Sequence, residues 1–178
     1  MDYFIIQPDP ELVAMGHIAK LRDWRQALEE DDPANYFAVV PIRTRCIFVE
    51  SDGRNEYPDF WERPILMIEQ KFKRLISTHQ KDIQMQTIVL LDQEANKQTV
   101  YYKLEAPKID CASDQSVLDH IGKIKELVID KSKVGEQTIF HVTNFPRRLI
   151  VRLDVAERIL QKNSYGITFE KIKSVEGV

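Results

Sequence analysis

Short apolar runs closed by turn residues outnumber stretches at helical spacing along this chain, which predicts a fold richer in strands than in helices. Residues 3–7 form an apolar run stopped by Pro8 and Pro10, a first strand, because proline cannot donate to a ladder. Leu12, Met15, Ile18 and Leu21 recur at three-residue spacing within 12–28 and suggest a helix face. An acidic run at 29–32 followed by Pro33 reads as a loop. Residues 36–50 are rich in β-branched and aromatic types (Phe37, Val39, Val40, Ile42, Ile47, Phe48, Val49) and are interrupted by Pro41. They predict two strand pieces, or one strand with an edge position. Residues 51–64 carry the breakers Gly53, Asn55, Pro58 and Pro64 and read as a long loop.

Further on, 65–68 is a short apolar run, and 69–78 has helical spacing, with Phe72, Leu75 and Ile76 on one face and Lys71, Lys73 and Arg74 toward water. The runs 85–92 and 98–105 predict a hairpin turning at Ala95-Asn96. Residues 107–120 are irregular. After them come strands at 124–130, 138–142 and 148–152, a helix at 154–163 and a final strand at 167–172. Val155, Ala156, Ile159 and Leu160 form the buried stripe of that helix. Asp154 and Glu157 resemble a capping box, and Gly166 stands where a left-handed C′ residue would end the helix. The expected fold class is α+β: a mainly antiparallel sheet with two to four helices and a C-terminal β-β-β-α-β unit. The length of 178 residues suits a single domain over 1–178, with an N-terminal subdomain over 1–60 as an alternative.

Hydrophobic residues make up 43% and charged residues 30%, a globular balance that excludes a disordered chain. The net charge of −3 gives no basic surplus for nucleic acid. Arg147-Arg148 is the densest basic pair in the C-terminal half and reads as a solvated turn, since phosphate affinity needs several such charges together. No window approaches a membrane span, and the N-terminus lacks the basic and apolar regions of a signal peptide. The expectation is a cytoplasmic protein that contacts neither nucleic acid nor membrane. Cys46 and Cys111 lie in no CxxC and at no zinc-ligand spacing from a histidine, so both are expected as reduced, buried, metal-free thiols.

Catalytic signatures are sparse. The six glycines do not cluster into a phosphate loop, and there is no HExxH. Cys111 with His120 or His141 is conceivable as a nucleophilic pair, but His141 in its strand-like run reads as a half-buried structural residue. Asp110, Asp114 and Asp119 read as a turn-rich acidic loop with Asx turns. No catalytic, cofactor-binding or metal-binding residue is therefore assigned, and no cofactor is expected. The loop 51–64 does carry a positive signal. Tyr57 and Trp61 are candidate partner-binding anchors, with Asp52, Glu56 and Asp59 steering a basic partner. The alternative is that these aromatics plug the side of the core.

An ordered series of short motifs resembles the end of a family of bacterial immunity proteins from polymorphic toxin systems, long known only as a domain of unknown function. The pieces are residues 126–130, Ile139-Phe140, 149–151, the helix start Val155-Ala156-Glu157, and Gly166-Ile167-x-Phe169. RPILMIEQKFKRLI and YYKLEAPKIDC fit the middle, so that the similarity spans residues 60–173. Where the family tends to have Ser before the Leu-Asp helix start, this chain has Arg152, which leaves capping to Asp154. The resemblance implies a non-enzymatic inhibitor that binds a cognate protein toxin. The competing readings are an enzyme of unrecognised, hydrolase-like class and a structural or regulatory homo-oligomer; a homodimer is compatible with either binding role.

Overall fold

Apolar residues that alternate along the strands send side chains to opposite faces, and in the computed structural model this divides the core among three clusters. The structure describes residues 1–29, 44–145 and 148–176. The expectations for 30–43, including the strand residues Phe37, Val39, Val40 and Ile42 and the break at Pro41, lie outside the described residues, as does Arg147. Among the described residues, two six-stranded sheets form the frame. The first has the order β11-β14-β1-β13-β12-β8: β1 is Tyr3–Pro8, β8 Lys108–Ile109, β11 Val128–Asp130, β12 Ile139–Val142, β13 Leu149–Arg152 and β14 Ile167–Val175. The second has the order β2-β3-β6-β7-β5-β4: β2 is Lys20–Leu21, β3 Arg45–Glu50, β4 Phe60–Trp61, β5 Met67–Glu69, β6 Gln84–Asp92 and β7 Lys97–Glu105. A two-stranded ribbon joins β9 (Val117–Leu118) and β10 (Ile124–Glu126).

The class is α+β, and the sheets are mixed: β3 with β6, β8 with β12, and β11 with β14 are parallel. Five helices exceed the expected two to four among the described residues: α1 Pro10–Met15, α2 Trp24–Glu29, α3 Lys73–His79, α4 Lys131–Val134 and α5 Leu153–Leu160. The described residues of 1–60 are divided between the sheets. β1 lies at the centre of the first, between β13 and β14, and β3 belongs to the second.

One cluster joins the two sheets with α3 and α5, through Ile6, Phe60, Phe72, Leu75, Ile76, Leu104, Val151 and Val155. The opposite face of the first sheet buries Tyr3, Ile5, Phe140 and Ile150 against the segment containing Cys111, Leu127 and Val134. The opposite face of the second buries Ile47, Val49, Met67, Leu90 and Tyr101, with α2 packed alongside. The hairpin β6–β7 forms with Asn96 in the left-handed region, at φ 47°.

Several local expectations are corrected. The stripe over 12–28 breaks after one turn and a half: Asp9 caps α1 by accepting from the Glu11 N–H, Pro10 occupies its first turn, and Gly16 ends it at φ 70°. Met15, placed on a buried face by the spacing, is 62% exposed. The predicted strand 124–130 divides at Leu127, and 131–134 is a helical turn capped by Asp130. The capping box does not form. Arg152 precedes α5 without a side-chain cap, and its guanidinium grips Asp154 with two bonds of 2.7 and 2.8 Å. Leu160 is exposed at the end of α5. Gly166 lies beyond that helix end, not at C′; nearer to it, Asn163 takes the left-handed conformation at φ 51°. Cys111 is buried as expected, whereas Cys46 is exposed, because β3 turns Ile47 and Val49 inward and its neighbour outward.

Candidate binding cleft

The second sheet meets the first where β4 reaches the end of β1, and α1 leans over that junction. Between them opens a cleft of about 490 Å³. Its walls are mostly apolar: Pro8, Pro10, Val13, Ala14, Ile18, Pro58, Phe60 and Trp61. Gln7, Glu62, Arg63 and Arg148 supply the polar part of the lining. Arg148 donates to Glu62 at 3.0 Å and lies 3.5 Å from the Gln7 side-chain oxygen. The basic residue read as a solvated turn is thus tied across the junction. Arg63 is exposed and has no partner among the described residues. Val13, 51% exposed, extends the apolar lining outward with exposed Ala14 and Met15.

The loop 51–64 passes beside this cleft and is fastened at three places. Asp92 accepts from the Ser51 hydroxyl, the Tyr57 hydroxyl (2.8 Å) and the Ala95 N–H (3.0 Å). With the Ser51 bond first among them, these hold its carboxyl well below the ordinary carboxylate range. Burial and the bond to Asp92 push the Tyr57 phenol up to about 12, and Lys97 stands 3.8 Å from the Tyr57 ring. Asp59 accepts from the Tyr165 N–H at 2.5 Å and pairs with Lys71 at 2.6 Å. The Tyr165 hydroxyl donates to Glu56 at 2.9 Å.

Trp61 and Asp59, expected as surface anchor and steering charge, are 4% and 5% exposed. Trp61 points opposite to Phe60 and meets Tyr101 edge-on at 6.0 Å, while the Tyr101 hydroxyl donates to the Pro58 carbonyl. Alternation within β4 therefore puts one aromatic on each face of the sheet, and the loop aromatics do plug the core. Tyr57 is half-buried, Asp52 is exposed and engaged by Arg54, and Glu56 is half-buried. The acidic loop is compensated largely from within the chain.

A search with this chain matches no family model and no curated protein.

The alternative chemistry finds less support. Burial pushes the Cys111 thiol up to about 11, keeping it neutral at physiological pH, the opposite of an activated nucleophile. His141 is half-buried with Nδ1 2.8 Å from the Arg148 carbonyl oxygen, which can only accept, so Nδ1 carries a proton. Burial lowers its pKa. Asp119 accepts from the Ile121 and Lys123 N–H groups, an Asx turn as read from the sequence. Among the described residues no group of three or more His, Cys, Asp or Glu is arranged to hold a metal, and no helix is long and apolar enough to cross a membrane.

Sequence reading missed the cleft because its lining comes from five separate stretches. The available signal was local: Asp9-Pro10 opening and Gly16 closing a six-residue helix. A helix that short buries little, and its Val13-Ala14-Met15 end is left outside.

Proposed function

We propose that this protein acts by binding a protein toxin, as its resemblance to immunity proteins implies, and that the cleft beneath α1 seats the toxin's anchoring side chain. The observation that carries the reading is an apolar cleft that continues into an exposed apolar edge, Val13-Ala14-Met15, and is bordered by charged groups. Binding energy at protein interfaces concentrates where a large side chain is desolvated in a pocket surrounded by polar groups. A volume of about 490 Å³ is enough to enclose such an anchor. The two sheets and α1 supply a prebuilt receptor, so little ordering entropy is lost on association.

The test is co-expression with a candidate toxin encoded beside this gene. The wild-type chain is expected to protect the cells and to co-purify with the toxin. Ala14→Arg fills the cleft mouth from an exposed helix position, so it should abolish both while leaving the melting temperature nearly unchanged. Full protection by a folded Ala14→Arg variant would remove the cleft from the interface. Absence of any adjoining toxin gene would count against the immunity role itself.

A further inference from the structure

The charged side chains lining the cleft are net positive, although the loop 51–64 that supplies two of them is acidic. Its lining holds two guanidinium groups, Arg63 and Arg148, and one carboxylate, Glu62. Glu62 is already paired with Arg148, so Arg63 remains as an uncompensated positive charge among the described residues. Of the other carboxylates nearby, Asp59 is buried against Lys71, Glu56 accepts from Tyr165, and Asp9 accepts from the Glu11 N–H at the start of α1. None of them lines the cleft. The chain carries a net charge of −3, so this is a local positive site on an acidic protein.

Resting on the binding role above, we infer that the cleft selects a partner segment whose apolar anchor is flanked by carboxylates. The apolar walls take the anchor and Arg63 meets the adjacent acid at the rim. Arg148, held by Glu62 and Gln7, keeps the polar end of the cleft in place. An exposed arginine contributes more to discrimination and association rate than to total affinity, because the partner's charge stays partly hydrated. A basic flank would face Arg63 directly and be repelled. This polarity is the reverse of the basic partner expected from the loop's composition.

The experiment is an NMR titration of the ¹⁵N-labelled full chain with three capped tetrapeptides that share one anchor: acetyl-Asp-Phe-Leu-Asp-amide and its Asn and Lys counterparts. The Trp61 indole N–H and the backbone amides of Val13, Ala14 and Ile18 report on the cleft. The expected result is shifts at these signals, with the Asp peptide binding about fivefold more tightly than the Asn peptide. That preference should shrink in about 0.5 M salt, vanish in Arg63→Gln and persist in Arg63→Lys. Equal binding of all three peptides, or a preference for the Lys peptide, overturns the charge inference and leaves the cleft as a receptor. Absence of shifts at the cleft for every peptide overturns the inference and counts against the cleft as well. An Asp-over-Asn preference that survives unchanged in Arg63→Gln assigns it to another group and overturns the role of Arg63.

Discussion

Trp61 shows how a residue suited to an interface by type becomes part of the core by position. It fills the outer cluster of the second sheet beside Met67 and Tyr101, so Trp61→Ala should destabilise the fold by about 3–5 kcal/mol. Urea unfolding measures this, and a loss under 1 kcal/mol would contradict the packing described here. Gly166 is fixed by a different cause from the one its neighbours in sequence suggest. Its φ is +69°, and an added Cβ would lie 2.7 Å from Pro58 Cβ and 2.8 Å from Leu12 Cδ2. Gly166→Ala should therefore cost roughly 2–4 kcal/mol, the backbone penalty plus the overpacking of two neighbours. Asp92 gives a pH signature. Its folded pKa is lowered, by the Ser51 hydroxyl first, so its contribution is fully present above the unfolded value of about 3.9 and is lost as pH falls toward the folded one. Asp92→Asn should be less stable than wild type at neutral pH, and the gap should narrow below about pH 4. Urea midpoints for both proteins across that range decide the matter; a constant gap would show that the carboxylate's charge is not what the loop uses.

At the scale of elements, the two cysteines separate an inward from an outward position. Cys46 lies exposed on β3, and Cys111 is buried with its thiol held neutral. Ellman's reagent should titrate one thiol in the native protein and the second only on unfolding; two fast thiols would contradict the burial of Cys111. The same contrast explains what was legible. Where the period was strong and a partner strand lay close in sequence, the residues were sufficient: β6 and β7 pair from Gln84–Glu105 to Asp92–Lys97, and α3 buries Leu75 and Ile76 as its spacing predicts. Where backbone geometry overrode periodicity, they were not. Gly16 ends α1 at a point that a three-residue repeat runs straight through, leaving Ile18 to bridge to Glu56. Arg152 and Asp154 pair with each other, so neither acts as the cap that Asp154-x-x-Glu157 suggests. The central place of β1 between β13 and β14 rests on contacts across nearly the whole chain, which no local pattern carries.

For the whole molecule, the candidate site is a product of topology. Its lining comes from the end of β1, from α1, from the Ile18 turn, from residues 58–63 and from Arg148 just before β13. Composition drew attention to the loop 51–64, and the loop does reach the cleft, but it contributes Pro58, Phe60, Trp61, Glu62 and Arg63 rather than Asp52, Glu56 and Tyr57. An acidic-aromatic stretch has the same signature whether its rings face a partner or a core; the Asp59–Lys71 and Tyr57–Asp92 bonds decide between them here. The most direct test of the proposed binding role is isothermal titration of a candidate toxin encoded beside this gene into the wild-type chain and into Ala14→Arg. The proposed binding role predicts a saturable, one-to-one complex with the wild type and at least about a hundredfold weaker binding by the folded variant, the loss of about 2.7 kcal/mol typical of a blocked anchor pocket. Equal affinity for both proteins would contradict it.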